Sequence, residues 1–176
     1  YGMAAAVQKF GLVFPDFVQS NEPVIEATGL YHLLVQEPVV YDVSLDQKSN
    51  FLFLTGANMA GKSTYLRSIG INTVLAMAGA PVCARLFCLS PVQIISSMRI
   101  ADNLEESTST FYAELKKLKT VIDKVNNNEN VFILLDEILR GTNSLDRHTG
   151  SAALIKQLIK HNAAGIIATH DGELAA

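Results

Sequence analysis

The chain has 176 residues, 49% of them hydrophobic and 18% charged, with a formal net charge of −3. That length and apolar content suffice for one globular domain with its own core. The near balance of charge argues against a module that holds DNA or a membrane surface by electrostatics alone. No apolar run is long enough to span a bilayer, so no membrane partner is expected.

Residues 1–11, with Ala4-Ala5-Ala6, read as the end of a preceding helical region closed at Gly11, and residues 12–176 as the domain proper. A chain that starts at Tyr1 is expected to be a piece of something longer. Pro15, Asn21 and Pro23 break the next stretch into turns and short extended pieces. Val39, Tyr41, Val43 and Leu45 then alternate with Val40, Asp42, Ser44 and Asp46, a period of two that predicts a half-buried strand. The polar turn Asp46–Asn50 predicts a hairpin into a second strand, Phe51–Leu54.

That strand runs into Gly56-Ala57-Asn58-Met59-Ala60-Gly61-Lys62-Ser63, of the form G-x-x-x-x-G-K-S, and then into helix formers from Thr64 to about Ala78. Strand, glycine-rich loop and helix in this order are what a phosphate-binding loop needs. Gly56 and Gly61 let the backbone turn tightly, so that its N–H groups can ring a polyphosphate with no β-carbon in the way. Lys62 is expected to reach the β- and γ-phosphates and the Ser63 hydroxyl to take a place on Mg²⁺. The helix adds the positive end of its dipole. Leu66, Ile69, Ile71, Val74, Leu75 and Met77 make it apolar around most of its circumference, as suits packing on a sheet, and Gly79 and Pro81 end it.

Cys83 and Cys88 have no nearby histidine and are expected to be packing residues in a reducing, cytoplasmic setting. A strand near Val92–Ile100 and a polar loop, Asp102–Thr108, come next. Phe111, Leu115, Leu118 and Ile122 then mark an amphipathic helix over Phe111–Val125, whose solvated face carries Lys116, Lys117 and Lys119. Val131–Leu135 is a continuous apolar run, hence a fully buried strand, and it ends in Asp136-Glu137. A loop over Gly141–Leu145, a helix over about Asp146–Lys160 and a buried strand from Gly165 ending in Thr169-His170 complete the chain. The alternation predicts an α/β fold: a mainly parallel sheet flanked by helices, with an antiparallel β portion on the N-terminal side.

In such a sheet the polar strand ends can share one edge around one nucleotide. Asp136 is expected to hold Mg²⁺ and Glu137 to prepare a water for attack on the γ-phosphate. His170 is a candidate sensor of that phosphate. A solvated strand end is the plain alternative for Asp136-Glu137, and a structural histidine for His170. A phosphate-transferring kinase and a non-hydrolytic nucleotide switch are the rival readings, the first lacking a recognisable acceptor site and lid.

At these residues a family resemblance becomes specific. Thr55 through Arg67 resembles the nucleotide-binding loop of the MutS family, T-G-x-N-M-x-G-K-S-T followed by Tyr or Phe, Leu or Met, and Arg. Ser109-Thr110-Phe111 with Glu114 resembles its S-T-F-x-x-E segment. Asp136-Glu137-Ile138, Arg140-Gly141-Thr142 and Asp146 resemble its D-E-I-x-R-G-T-x-x-x-D, and Ala168-Thr169-His170 its A-T-H. The resemblance implies an ABC-type P-loop ATPase that binds and hydrolyses Mg·ATP in a head-to-tail homodimer. It implies that Ser109 reaches the partner's γ-phosphate, where Ser109 or Thr110 could equally be an N-cap. It also implies that the segment Val39–Asp42 lines the adenine pocket, with Val39 and Val40 offering the apolar contact, alongside a loop set of Gly56 to Thr64. DNA contacts, to mismatches or to other DNA structures, would belong to parts of the parent protein outside this chain, as would its C-terminal dimerisation elements. Four positions depart from the usual family pattern: Ser107-Thr108 stand for Gly-Arg, Leu139 for a Gly, and Arg147 for a Gly.

Overall fold

A computed structural model describes residues 7–9, 11–57, 59–98, 107–139, 142–161 and 163–170, and only the backbone of 107–111. Asn58, Arg140 and Gly141, residues 1–6 of the proposed helical lead-in, and most of the proposed Asp102–Thr108 loop lie outside the described residues. Two four-stranded sheets form. The first joins β1 (Asp16–Phe17), β2 (Ile25–Leu30), β3 (Tyr41–Leu45) and β5 (Leu86–Leu89) in the order β1-β5-β2-β3. It is antiparallel apart from the β1–β5 pair. The second is wholly parallel and joins β4 (Phe51–Leu54), β6 (Gln93–Ser97), β7 (Val131–Asp136) and β8 (Ala164–Ala168) in the order β4-β8-β7-β6. Among the described residues, 7–9 are helical and three longer helices follow, α1 (Lys62–Met77), α2 (Ser107–Asn126) and α3 (Ser144–Lys160).

The side-chain alternation of the strands explains the layering. On β7, Phe132 and Leu134 face a core shared with Leu66 and Ile69 of α1 and with Ile25, Val43 and Phe87 of the mixed sheet. Val131, Ile133 and Leu135, one residue out of phase, face a second core with Val121 of α2 and Leu154 and Leu158 of α3. A strand buried on both faces reads as an uninterrupted apolar run, which is why Val131–Leu135 shows no alternation. β2 and β3 bury one face only, with Glu26, Thr28, Asp42 and Ser44 outward, and their sequences alternate accordingly.

The predicted hairpin between β3 and β4 does not form. β3 pairs antiparallel with β2, Ala27 opposite Val43, and β4 pairs parallel with β8, Phe53 opposite Ile167. The turn itself is present: Asp46 Oδ1 accepts from the N–H groups of Lys48 (2.8 Å) and Ser49 (2.9 Å). It carries the chain from one sheet to the other, because the apolar Phe51–Leu54 needs cover on both faces and the one-sided mixed sheet cannot supply it.

Helix boundaries also shift. α1 begins at Lys62, two residues before Thr64, and its inner side is buried while Ile71, Val74 and Met77 stay exposed. α2 runs over Ser107–Asn126, so Ser107 and Thr108 belong to the helix and Ser109 and Thr110 lie within it, which removes them as N-caps. α3 is capped by Asn143, whose side chain accepts from the Asp146 N–H (2.9 Å) and donates to Asp146 Oδ2 (2.7 Å). Buried Asn72 fastens α1 to the mixed sheet: its amide nitrogen donates to the carbonyl of Tyr31 (3.1 Å) and its oxygen accepts from the N–H of Cys83 (2.6 Å). Among the described residues no helix is long and apolar enough to cross a membrane.

Candidate functional site at the strand ends

Three parallel strands stop at one level. Leu54 of β4 lies opposite Ala168 of β8, and Ala168 opposite Asp136 of β7. The backbone stitches continue one step further, from Thr169 N–H to the Leu54 carbonyl (3.0 Å) and from Glu137 N–H to the Ala168 carbonyl (2.9 Å). The Gly56–Ser63 loop, Glu137 and His170 therefore leave the same edge of the sheet.

Within the loop, Gly56 (φ 144°) and Gly61 (φ 90°) hold positive φ angles suited to glycine, and Met59 is left-handed (φ 64°) and fully exposed. Ala57 and Ala60 close a turn through a 3.4 Å backbone hydrogen bond. The ammonium of Lys62 spans the loop and donates to the carbonyls of Gly56 (2.6 Å) and Ala57 (2.9 Å). Ser63, in the first turn of α1, donates its hydroxyl proton to Asp136 Oδ2 at 2.6 Å, across the two sides of the edge. Thr64 follows, exposed. Beside them Glu137 Oε1 lies 2.5 Å from His170 Nε2. Glu137 has a positive φ of 57°, a strained conformation for a carboxylate side chain that aims it off the line of β7.

Val39 and Val40 are exposed (64% and 58%), and Val40 lines a separate surface groove with Tyr31, Leu33 and Pro38. Ser109 lies on α2, with its side chain outside the described residues. Tyr41, in the same Val39–Asp42 segment, meets the loop: its hydroxyl is 3.9 Å from where a β-carbon on Gly61 would stand. Its ring packs edge-on against Tyr65, centroids 4.8 Å apart. Burial, then the charge of Asp42 and the neighbouring Tyr41, pushes the Tyr65 hydroxyl up to about 12.

A sequence model of MutS domain V matches residues 52–176. The chain belongs to the MutS family. It is 37% identical over 175 residues to the DNA mismatch repair protein MutS of Brevibacillus brevis, an alignment covering 93% of this chain and 20% of that protein. It is 36% identical over 173 residues to the mitochondrial DNA mismatch repair protein mutS homolog of Sarcophyton glaucum, covering 92% and 17%. A Thermotoga MutS is 34% identical over 160 residues, covering 88% and 20%. The chain thus spans about a fifth of the length of these relatives.

The MutS-type departures now have structural settings. Leu139, in place of a Gly, is left-handed (φ 57°), and its N–H donates to Glu114 Oε1 at 2.7 Å, so the Glu of the S-T-F-x-x-E segment holds the turn after Glu137. Arg147, in place of another Gly, lines a pocket of about 60 Å³ with Ser151 of α3, Thr169, and the Glu137–His170 pair. Ser151 carried no signal in the sequence, since a serine amid a helical pattern is indistinguishable from a surface one until α3 is docked.

Proposed function

We propose that this chain binds Mg·ATP and hydrolyses it to ADP and phosphate, as the ABC-type P-loop engine of a DNA mismatch repair protein whose DNA contacts lie outside it. The observation that carries the reading is the 2.6 Å bond from Ser63 to Asp136 at the foot of the Gly56–Ser63 loop, with Glu137 on the next residue. A hydroxyl and a carboxylate oxygen are hard donors. That suits Mg²⁺, which takes one or two protein oxygens and fills the rest of its octahedron with phosphate oxygens and water. Bound there, it would neutralise charge on the β- and γ-phosphates.

The chain's own residues do the rest. Loop N–H groups and Lys62, released from the Gly56 and Ala57 carbonyls, bind the polyphosphate. Glu137 takes a proton from a water whose oxygen bonds to the γ-phosphorus as the bond to the β-phosphate oxygen breaks. His170 holds the Glu137 carboxylate in place from the neighbouring strand end.

Steady-state phosphate release tests this directly. Glu137→Gln should lower turnover by about 10²–10⁴-fold, the usual contribution of a general base, with ATP binding intact. Lys62→Ala should lose binding itself, and chelating divalent cations should stop turnover reversibly. Undiminished release by Glu137→Gln would sink the assignment. One observation favours a second reading, an ATP-operated switch without hydrolysis: Glu137 Oε1 is already engaged by His170. ATP binding by the intact chain with no phosphate release would establish it.

A further inference from the structure

The Glu137–His170 pair stands between two different surroundings. On one side the Gly56–Ser63 loop leads into α1, which packs on one face of the parallel sheet. On the other, the small pocket is walled by Ile138 and Ile167, whose neighbours are the α2 and α3 side chains of the opposite face. We propose that this pocket receives the inorganic phosphate that hydrolysis releases, with Arg147 and Ser151 as the groups that hold it. The proposal rests on the hydrolytic reading given above.

Its volume, about 60 Å³, is several times the ~10–15 Å³ that one water requires, so a small oxyanion fits where a nucleotide does not. Two polar groups of the lining, Arg147 and Ser151, suit an anion. Arg147 is exposed and makes no ion pair with a described residue; its Nη2 donates to the Thr142 carbonyl (3.2 Å), which leaves most of the five guanidinium donors for a ligand. Ser151 is only 1% exposed, yet its hydroxyl has no hydrogen-bond partner among the described residues. A buried hydroxyl left in that state costs free energy, and a ligand oxygen in the pocket would satisfy it. Glu137 is the opposing charge, and it forms the boundary with the reacting centre: the anion that leaves the nucleotide passes it and meets a guanidinium beyond.

Titrating the whole chain with inorganic phosphate, followed by thermal stability and amide chemical shifts, tests the site. Four chains are compared: the unaltered one, Arg147→Gln, Ser151→Val and Lys62→Ala. Saturable binding is expected in the unaltered chain and in Lys62→Ala, since Lys62 does not line the pocket. Arg147→Gln should weaken it about tenfold or more, the loss of one charge-assisted bond. Ser151→Val should abolish it by filling the space, and if that variant does not fold, the exposed Arg147→Gln carries the result. Absence of saturable binding, or binding that survives Arg147→Gln and vanishes in Lys62→Ala, would overturn the proposal. A parallel ATP titration separates the two claims. Arg147-dependent phosphate binding in a chain that never binds ATP would end the product assignment through failure of the hydrolytic reading, with the pocket intact.

Discussion

Leu139 holds a left-handed backbone that costs a side-chain-bearing residue about 1–2 kcal/mol. Two contacts keep it there. The Glu114 carboxylate accepts its N–H, and its side chain, 8% exposed, fills the α2/α3 core against Gly150, where a β-carbon would come within 2.6 Å of Leu139 Cδ1. Leu139→Gly would relieve the backbone but empty a buried position worth roughly 2–5 kcal/mol. The net expectation is a lower melting temperature, and a higher one would show that strain outweighs packing. Tyr65 makes a separate pH prediction. Its hydroxyl keeps its proton in the folded chain up to about pH 12, against the ordinary tyrosine value of about 10. The stability this contributes is complete below pH 10 and is lost as pH rises through 12. Tyr65→Phe should therefore flatten that part of the alkaline limb in a pH series of denaturation curves.

Among the elements, β8 leaves no room for a side chain at Gly165. Gly165 lies where β8 passes between β7 and β4, and a β-carbon there would stand 2.6 Å from the Ile133 carbonyl oxygen and 2.9 Å from Phe51 Cε1. A backbone atom cannot yield, so Gly165→Ala should cost roughly 1–3 kcal/mol or more, seen as a lower denaturant midpoint at unchanged slope. The buried strands β7 and β8 were legible because their signal is local: five or six apolar residues followed by polar ones. The Gly56–Ser63 loop was legible because its spacing is itself the signal. The hairpin was misread because the Asp46 turn has the same chemistry whether the chain folds back or changes sheets. β1, β2 and β5 escaped notice because they are short or non-local, and what defines them is which strand lies beside them. The pocket at Arg147 and Ser151 exists only where α3 meets the end of β8, a tertiary fact no local pattern carries.

At the scale of the whole molecule, the expectation that two copies complete each other's sites predicts a rate per chain that climbs with protein concentration. Ser109→Ala should lower turnover in that setting more than it lowers ATP binding by the single chain. A rate that stays flat while mass measurement with ATP shows only monomer would discard the composite site. The pairing of β4 has another consequence, for the order in which the molecule is made. Phe51 has Gly165 for its partner, and β8 is the strand that joins β4 to β7. On the ribosome, the glycine loop and α1 emerge long before that partner exists, while β6, α2 and β7 can already assemble. Alignment of the strand ends thus waits until β8 has been made rather than following at once from the glycine loop and α1. In nascent chains arrested at successive lengths, Phe51–Leu54 should stay open to protease until Ala168 has cleared the tunnel, then become protected in a single step.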